Sequence, residues 1–204
     1  MDIPFFLRGL IIGFSIAAPV GPIGILCIRR TLSDGQLVGL LSGLGAATAD
    51  ALYGCIAGFG LTFVSGLLMS QVVWFRVIGG LFLCYLGIKT ILAKPSEQAA
   101  SVTGGGWLGA YFSTLFLTLT NPATILSFLA VFAGLGLATA GANYGASALL
   151  VSGVFVGSAL WWLLLSSGVG LFRSRFNPNR LKWLNRISGS ILLGFGIIAL
   201  SPVG

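Results

Sequence analysis

The sequence contains no histidine and little charge of either sign. Of its 204 residues only 7% are charged, and four of these are Asp or Glu. The absence of histidine excludes a histidine proton relay, a catalytic site built on histidine and metal ligation by imidazole. The three cysteines, Cys27, Cys55 and Cys84, stand in apolar segments without a CxxC spacing, so a zinc or redox site has little support.

Apolar residues are present in great excess. They make up 56% of the chain, and the mean hydropathy is +1.03. Because soluble domains carry about 25% charged residues, the composition predicts an integral membrane protein. The 31 glycines suit close packing between membrane helices. In such a protein the net charge of +7 indicates on which side of the membrane the basic loops lie. We expect no nucleic-acid partner.

Six apolar segments are long enough to cross a bilayer, which takes roughly 20 residues. Their limits are 4–28, 37–64, 72–93, 107–134, 145–171 and 183–202. The sequence therefore predicts an all-α membrane protein with six transmembrane helices.

The cations are unevenly divided between the connections of these segments. One side of the membrane receives Arg29, Arg30, Lys89, Lys94, Arg173, Arg175, Arg180, Lys182 and Arg186. The other side receives Arg8 and Arg76. Short loops rich in Lys and Arg stay in the cytoplasm, so we expect both termini to lie outside.

The two halves of the chain resemble each other. "SGLGAATADALYGCIAGFGL" from Ser42 aligns with "SGVFVGSALWWLLLSSGVGL" from Ser152 at an offset of 110 residues, and Pro22 aligns with Pro122 at an offset of 100. A repeat of three spans crosses the membrane an odd number of times, so its second copy must be inverted. Inverted repeats are a transporter architecture.

The repeat divides the chain into three parts. Residues 1–95 form the first three-helix repeat, residues 96–106 a cytoplasmic connecting loop, and residues 107–204 the second three-helix repeat. Similarity by chance between apolar segments is the alternative, but the aligned positions include Gly, Ser, Pro and Arg as well as Leu.

Prolines interrupt spans 1 and 4 at equivalent points. Span 1 contains "AAPVGPIGI" with Pro19 and Pro22. Span 4 contains "TNPATI", where Asn121 is a favourable N-cap and Pro122 a favourable first helical residue. In lipid a broken helix is tolerated where protein or water satisfies its free backbone groups. The sequence thus predicts broken helices that restart at Pro22 and Pro122 beside a cavity.

A helix that restarts inside the membrane exposes N–H groups and a partial positive charge. Two such ends, arriving from opposite directions, predict a site for an anionic group such as a carboxylate. Proline kinks that serve only helix packing are the alternative.

Asp50 is the only acid at the centre of an apolar span. A carboxylate there costs at least ~2.5–3.5 kcal/mol, and intramembrane acids are functional hypotheses by default. Helical spacing places small residues and Tyr53 on its face, which predicts a close helix or a cavity. Asp50 could bind a substrate ammonium, or take up and release a proton because poor solvation favours its neutral form. A structural hydrogen bond to Tyr53 or a neighbouring helix is the alternative.

These features resemble the lysine exporter (LysE/RhtB) family of bacterial amino-acid efflux proteins. The resemblance covers nearly the whole chain and rests on its length, its six segments, "AAPVGPIGILCIRRTLSDGQLVGLLSGLGAATADALYG" in the first half and "LTLTNPATILSFLAVF" in the second. Family patterns often read PGP, whereas this chain has "PVGP"; "TNP", Thr120 to Pro122, fits the second-half motif.

The resemblance implies secondary active export of amino acids or similar small metabolites across the bacterial inner membrane, against an inward flow of protons. By position, the family's functional core falls on Gly21, Pro22, Asp50, Asn121 and Pro122. The predicted substrate and proton pathway adds the neighbouring residues Pro19, Tyr53 and Thr120. No cofactor or metal is expected.

The wider superfamily also includes metal-ion exporters and carriers of reducing equivalents. A reductant carrier needs a cysteine in each repeat, but Cys27 aligns with Ser127. A divalent-cation exporter is the alternative function, although hard cations usually need more than one carboxylate. An enzyme is not expected, because a hydrolase needs a nucleophile and base or a second acid.

The expected partners are the bilayer, protons and an amino acid whose identity the sequence does not give. Small-residue faces and compact size are compatible with a homodimer. The sequence leaves open whether Trp161 and Trp162 line the path or face lipid.

Overall fold

The computed structural model describes residues 4–19, 21–59, 70–92, 106–134, 144–173 and 178–201, and these contain eight α-helices and no strand. The helices are α1 (Phe5–Ala17), α2 (Pro22–Ser33), α3 (Gln36–Gly58), α4 (Val72–Leu92), α5 (Gly106–Leu119), α6 (Pro122–Gly134), α7 (Tyr144–Gly170) and α8 (Pro178–Leu200). The predicted all-α class is confirmed. The predicted connecting loop 96–106 lies, except for its last residue, outside the described residues.

Four helices are long and apolar enough to cross a membrane, namely α3, α4, α7 and the Lys182–Leu200 part of α8. Helices α1 and α2 meet the same criterion only as a pair, and they are bent by 81° at their junction. They therefore form one broken span or a re-entrant loop. Helix α5 is a shorter apolar helix. The structure supports four to five of the six predicted spans, and the span over 107–134 stays a prediction.

A glycine ends α2 and turns the chain into α3. The N–H groups of Asp34 and Gly35 both donate to the carbonyl of Arg30, at 2.8 and 3.0 Å. Gly35 has φ +114°, in the left-handed region that a side chain disfavours. This turn sets α3 beside α2 without a longer loop.

Helix α1 packs on α7 through glycines on both helices. A Cβ atom on Gly9 would lie 2.0 Å from the carbonyl oxygen of Leu150, and one on Gly157 would lie 2.0 Å from that of Leu10. The two backbones are therefore in direct contact, as small residues allow between membrane helices.

Helices α4 and α8 form a second glycine-mediated pair. A Cβ atom on Gly87 would lie 2.8 Å from the carbonyl oxygen of Gly189, and one on Gly196 would lie 2.9 Å from that of Gly80. The close approach leaves no room for a larger residue at these positions.

The main helix contacts follow a regular scheme. Helix α1 packs on α7, α5 packs on α3, α3 packs on α7, and α4 packs on α8. In the predicted repeat, α1 corresponds to α5, α3 to α7 and α4 to α8. Exchanging the members of each pair converts the α1–α7 contact into the α5–α3 contact. The same exchange leaves the α3–α7 and α4–α8 contacts unchanged.

Arg30, near the end of α2, holds α3 and α5 together. Its guanidinium donates to the hydroxyls of Ser42 at 2.9 Å, Ser113 at 2.8 Å and Thr114 at 2.9 Å. It also donates to the carbonyl of Ala110 at 3.0 Å. The sequence places Arg30 in a connection between spans, which is wrong: Arg30 lies within α2 and joins this helix to α3 and α5.

Candidate functional site

The first helix break leaves an open helix N-terminus. Helix α1 ends at Ala17 and α2 begins at Pro22, as the sequence predicts. Gly21 occupies the N-cap position in an extended conformation, and no side chain of the described residues caps the helix. The amides of Ile23 and Gly24, in the first turn of α2, therefore have no acceptor among the described residues.

The second break differs, because its helix N-terminus is capped. The side-chain oxygen Oδ1 of Asn121 accepts a 3.1 Å hydrogen bond from the N–H of Ala123, and its carbonyl accepts one of 3.1 Å from Thr124. Helix α6 begins at Pro122 with Asn121 as its cap, as the sequence predicts. The expectation that both restarted helices offer free amides is wrong for α6, because Asn121 occupies them.

Both breaks border one cavity of about 560 Å³. Its lining includes seven of the eight predicted pathway residues: Pro19, Gly21, Pro22, Asp50, Thr120, Asn121 and Pro122. Residues far apart in the sequence are thus brought to a single hollow. Its other lining residues are largely apolar and come from all eight of the described helices.

Asp50 is 3% exposed and lies where α3 packs on α7. The hydroxyl of Ser158 on α7 donates to Oδ2 of Asp50 at 2.6 Å. The alternative of a hydrogen bond from a neighbouring helix is therefore realised, while the same carboxyl also lines the cavity. One oxygen of Asp50 is bound to protein, and the described residues give its other oxygen no hydrogen bond.

Tyr53, the eighth predicted residue, is buried but does not line the cavity. Its hydroxyl donates to the carbonyl of Leu119 at 2.6 Å, not to Asp50. Leu119 is the last residue of α5, so this bond satisfies a carbonyl that the helix break leaves free. The position of Tyr53 on the face of Asp50 gave no sign of this partner.

Arg76 lines the cavity, which the sequence did not indicate. Its Nε donates to the carbonyl of Ala199 at 2.8 Å, and its Nη2 donates to the carbonyl of Ser201. These carbonyls stand at the C-terminal end of α8, where a cation is favourable. Among the described residues, the lining of the cavity therefore contains one carboxyl and one guanidinium.

The two neighbouring tryptophans have different surroundings. Trp162 lines the cavity and is 4% exposed, and its indole N–H has no acceptor among the described residues. Trp161 packs edge-on against Phe14 of α1, with ring centroids 5.4 Å apart, and is not in the lining. Trp162 is thus the one of the pair that borders the predicted path.

No group of three or more His, Cys, Asp or Glu side chains that could hold a metal ion is found in the described ranges. The cysteines Cys27, Cys55 and Cys84 carry free thiols. These observations add no support to the divalent-cation alternative.

Comparisons with known proteins point to a family of translocators. A family model described as "LysE type translocator" matches residues 14–201. The chain is 31% identical to the "Putative amino acid efflux protein YcgF" of Bacillus subtilis (strain 168), over 94% of this chain and 92% of that protein. It is 25% identical to the "Threonine efflux protein" of Escherichia coli (strain K12), over 87% of this chain and 88% of that protein. No solved structure gives a significant match.

Proposed function

Because the chain belongs to the LysE type translocator family, we propose that it exports amino acids or similar small metabolites by alternating access, coupled to inward proton flow. The observation that carries this proposal is the cavity in which Asp50 lies together with the two helix breaks. A buried carboxyl, an open helix N-terminus and apolar walls suit a small molecule that carries both charges.

The cavity fits a cargo of this size and charge. Its volume of about 560 Å³ lies within the range of ~300–1,000 Å³ typical of small-molecule sites. The ammonium of an amino acid is matched by Asp50, and its carboxylate is matched by a helix N-terminus. A dedicated charged partner for each end favours a zwitterion over an uncharged metabolite.

Asp50 also suits proton coupling. It is 3% exposed, so its charged form is poorly solvated unless a cation is bound beside it. A carboxyl that holds either a proton or the substrate ammonium exchanges one for the other. That exchange is the elementary step of a proton-driven exporter.

Alternating access is supported by the scheme of helix contacts. The α1–α7 contact and the α5–α3 contact exchange when the two halves of the chain are exchanged. Such a relationship is expected of the inverted repeats 1–95 and 107–204, which would provide two states open to opposite sides. A cytoplasmic-membrane location with both termini outside, and a homodimer, stay predictions.

The names of relatives favour amino acids as the first cargo to test. One relative is named an amino acid efflux protein and another a threonine efflux protein. The chain is 25% identical to the latter, so threonine is a probe for this protein and not its assigned substrate.

The test is an efflux assay in proteoliposomes made with the purified protein. Vesicles are loaded with one labelled amino acid at a time, threonine first, and a pH gradient is imposed in either direction. We expect efflux of at least one amino acid that depends on the gradient. Movement of Mn²⁺ or Cd²⁺ with no amino-acid efflux would replace the proposal by the cation alternative.

A further inference from the structure

We infer that the carboxylate of the cargo binds at the N-terminus of α2, where the indole N–H of Trp162 completes a set of donors begun by the first-turn amides of Ile23 and Gly24. The inference rests on the proposed function and deepens it, because it assigns the carboxylate of the cargo to α2 and Trp162 and the ammonium to Asp50 on α3. It makes Trp162 a residue that determines specificity.

The N-terminus of α2 is the open one of the two. Gly21 has no side chain with which to cap the helix, and no side chain in the described part of the chain does so. A Cβ atom added to Gly21 would meet nothing within 4 Å, so space for a ligand exists next to it. The corresponding end of α6 is occupied by Asn121, whose Oδ1 binds the N–H of Ala123.

Trp162 is an independent sign of a ligand at this place. Its indole N–H is buried and has no acceptor among the residues that the structure describes. Buried donors are almost always paired, so an unpaired one needs an explanation. Trp162 and Ile23 belong to one buried cluster and both line the cavity. An oxyanion bound there would pair the indole and the amides of α2 together.

The position of Trp162 is fixed by α3. A Cβ atom on Gly43 would lie 2.3 Å from Cβ and 2.5 Å from Cγ of Trp162, so the side chain is seated directly on the backbone of Gly43. A donor held in this way is preorganised, which lowers the ordering cost of binding.

The partner of Asp50 and the indole of Trp162 are carried by the same helix. Ser158, which holds Asp50, precedes Trp162 by four residues on α7. The Cβ atoms of residues four apart on a helix lie about 5–6 Å from each other on the same face. Ser158 and Trp162 therefore share one face of α7, and both Asp50 and Trp162 line the cavity.

The first test removes the indole N–H and keeps the ring. Purified Trp162→Phe is compared with Trp161→Phe, the matched control whose indole is outside the cavity lining. Threonine and threonine amide are the probes; the amide keeps the ammonium and lacks the carboxylate. Binding is measured from the thermal shift that each probe produces, and efflux from proteoliposomes.

A hydrogen bond to a charged group is worth a factor of about 10 or more. We therefore expect Trp162→Phe to weaken threonine binding and efflux at least about tenfold. Its effect on the amide should be much smaller, so the preference for threonine over the amide narrows. Trp161→Phe should keep the preference of the parent protein.

The second test fills the N-terminus of α2 with a cap of its own. Gly21→Asn supplies the side-chain oxygen that Asn121 supplies to α6, and Gly21→Ala adds only a Cβ atom and serves as its reference. We expect Gly21→Asn to lose more threonine binding than Gly21→Ala while its thermal stability is equal or higher, because N-caps stabilise helices.

Each outcome bears on the inference. If the parent protein exports threonine or another amino acid and Trp162→Phe behaves like Trp161→Phe, the inference is overturned and the proposed function stands. Equal binding by Gly21→Asn and Gly21→Ala overturns it as well. If the parent protein neither binds nor exports any amino acid, the proposed function fails and the inference fails with it.

Discussion

Ser158 donates a 2.6 Å hydrogen bond to Asp50, and this bond joins the central helices of the two halves of the chain. It is buried at the edge of the cavity and links α7 to α3. A hydroxyl binds a carboxylate more strongly than it binds a neutral carboxyl. Proton uptake by Asp50 would therefore weaken a contact between α3 and α7, so the proposed proton coupling would act on the packing of these two helices.

Asp50→Asn tests this relationship directly. The amide is similar in size and accepts a hydrogen bond from Ser158, but it can neither titrate nor neutralise an ammonium. We expect the variant to be expressed and folded while efflux driven by a pH gradient is abolished. The measurement is efflux of a transported amino acid from proteoliposomes with and without the gradient.

The matched control for this variant is Asp34→Asn. Asp34 lies just after α2, and its side chain is 41% exposed. We expect this substitution to leave gradient-driven efflux intact. Transport by Asp50→Asn that equals the parent protein at every pH would remove Asp50 from the mechanism.

A second prediction concerns Arg76. Arg76→Gln removes the cation from the cavity and weakens the bonds to the C-terminal carbonyls of α8. We expect amino-acid efflux to fall and the thermal midpoint in detergent to drop, because hydrogen bonds from a charged donor are worth about 1.5–3 kcal/mol. Arg76→Lys keeps the charge but cannot donate to both carbonyls in the same planar geometry. Its efflux and its thermal midpoint should therefore lie between those of Arg76→Gln and the parent protein.

Arg186 aligns with Arg76 at the offset of 110 residues and is its control, because the two residues differ in environment. Its guanidinium lies over the exposed ring of Trp183, outside the cavity lining. Arg186→Gln is expected to preserve efflux. Equal loss in both variants would mean that net charge, and not the cavity, accounts for the effect.

Local chemistry made part of this site predictable from the sequence. Proline restricts the backbone wherever it stands, so restarts at Pro22 and Pro122 follow from the residues themselves. An acid in an apolar segment stands out because a charge is costly there, and Asp50 does line the cavity. Asn121 shows the limit: its N-cap preference predicts where α6 begins, but only the structure shows that its side chain occupies the amides at that end.

Other features depend on helix pairing, which single-residue patterns do not encode. Arg76 reaches the cavity only because α4 packs on α8. The acceptors of Arg30 lie on α3 and α5, the latter about 80 residues away. Trp161 and Trp162 could not be told apart because α7 is apolar on all sides and its rotation is set by α1 and α3.

A third prediction follows from the guanidinium at the end of α2. Arg30→Lys replaces a planar group with four hydrogen bonds by an ammonium that cannot reach all four acceptors. We expect a loss of at least about 2 kcal/mol of stability, seen as a lower thermal midpoint in detergent.

Arg29→Lys is the matched control for Arg30→Lys. Arg29 makes one hydrogen bond of 3.0 Å to Asn185 and a 4.0 Å ion pair with the exposed Asp34. Arg29→Lys should therefore lower the thermal midpoint clearly less than Arg30→Lys does. If the two variants were equally stable, the bonds of Arg30 to α3 and α5 would contribute little.

The glycine contact between α1 and α7 gives a prediction about folding that does not depend on the cargo. In Gly157→Ala the new Cβ atom would lie 2.0 Å from the carbonyl oxygen of Leu10, so the two helices must separate. Overpacking of this kind costs typically about 1–3 kcal/mol. We expect lower expression or a lower thermal midpoint for this variant.

Gly109→Ala is the control, because a Cβ atom there meets nothing within 4 Å and alanine favours the helix by up to about 1 kcal/mol. A Gly157→Ala variant as stable as Gly109→Ala would show that α1 and α7 are not in backbone contact, and the cavity wall that α1 provides would have to be placed elsewhere.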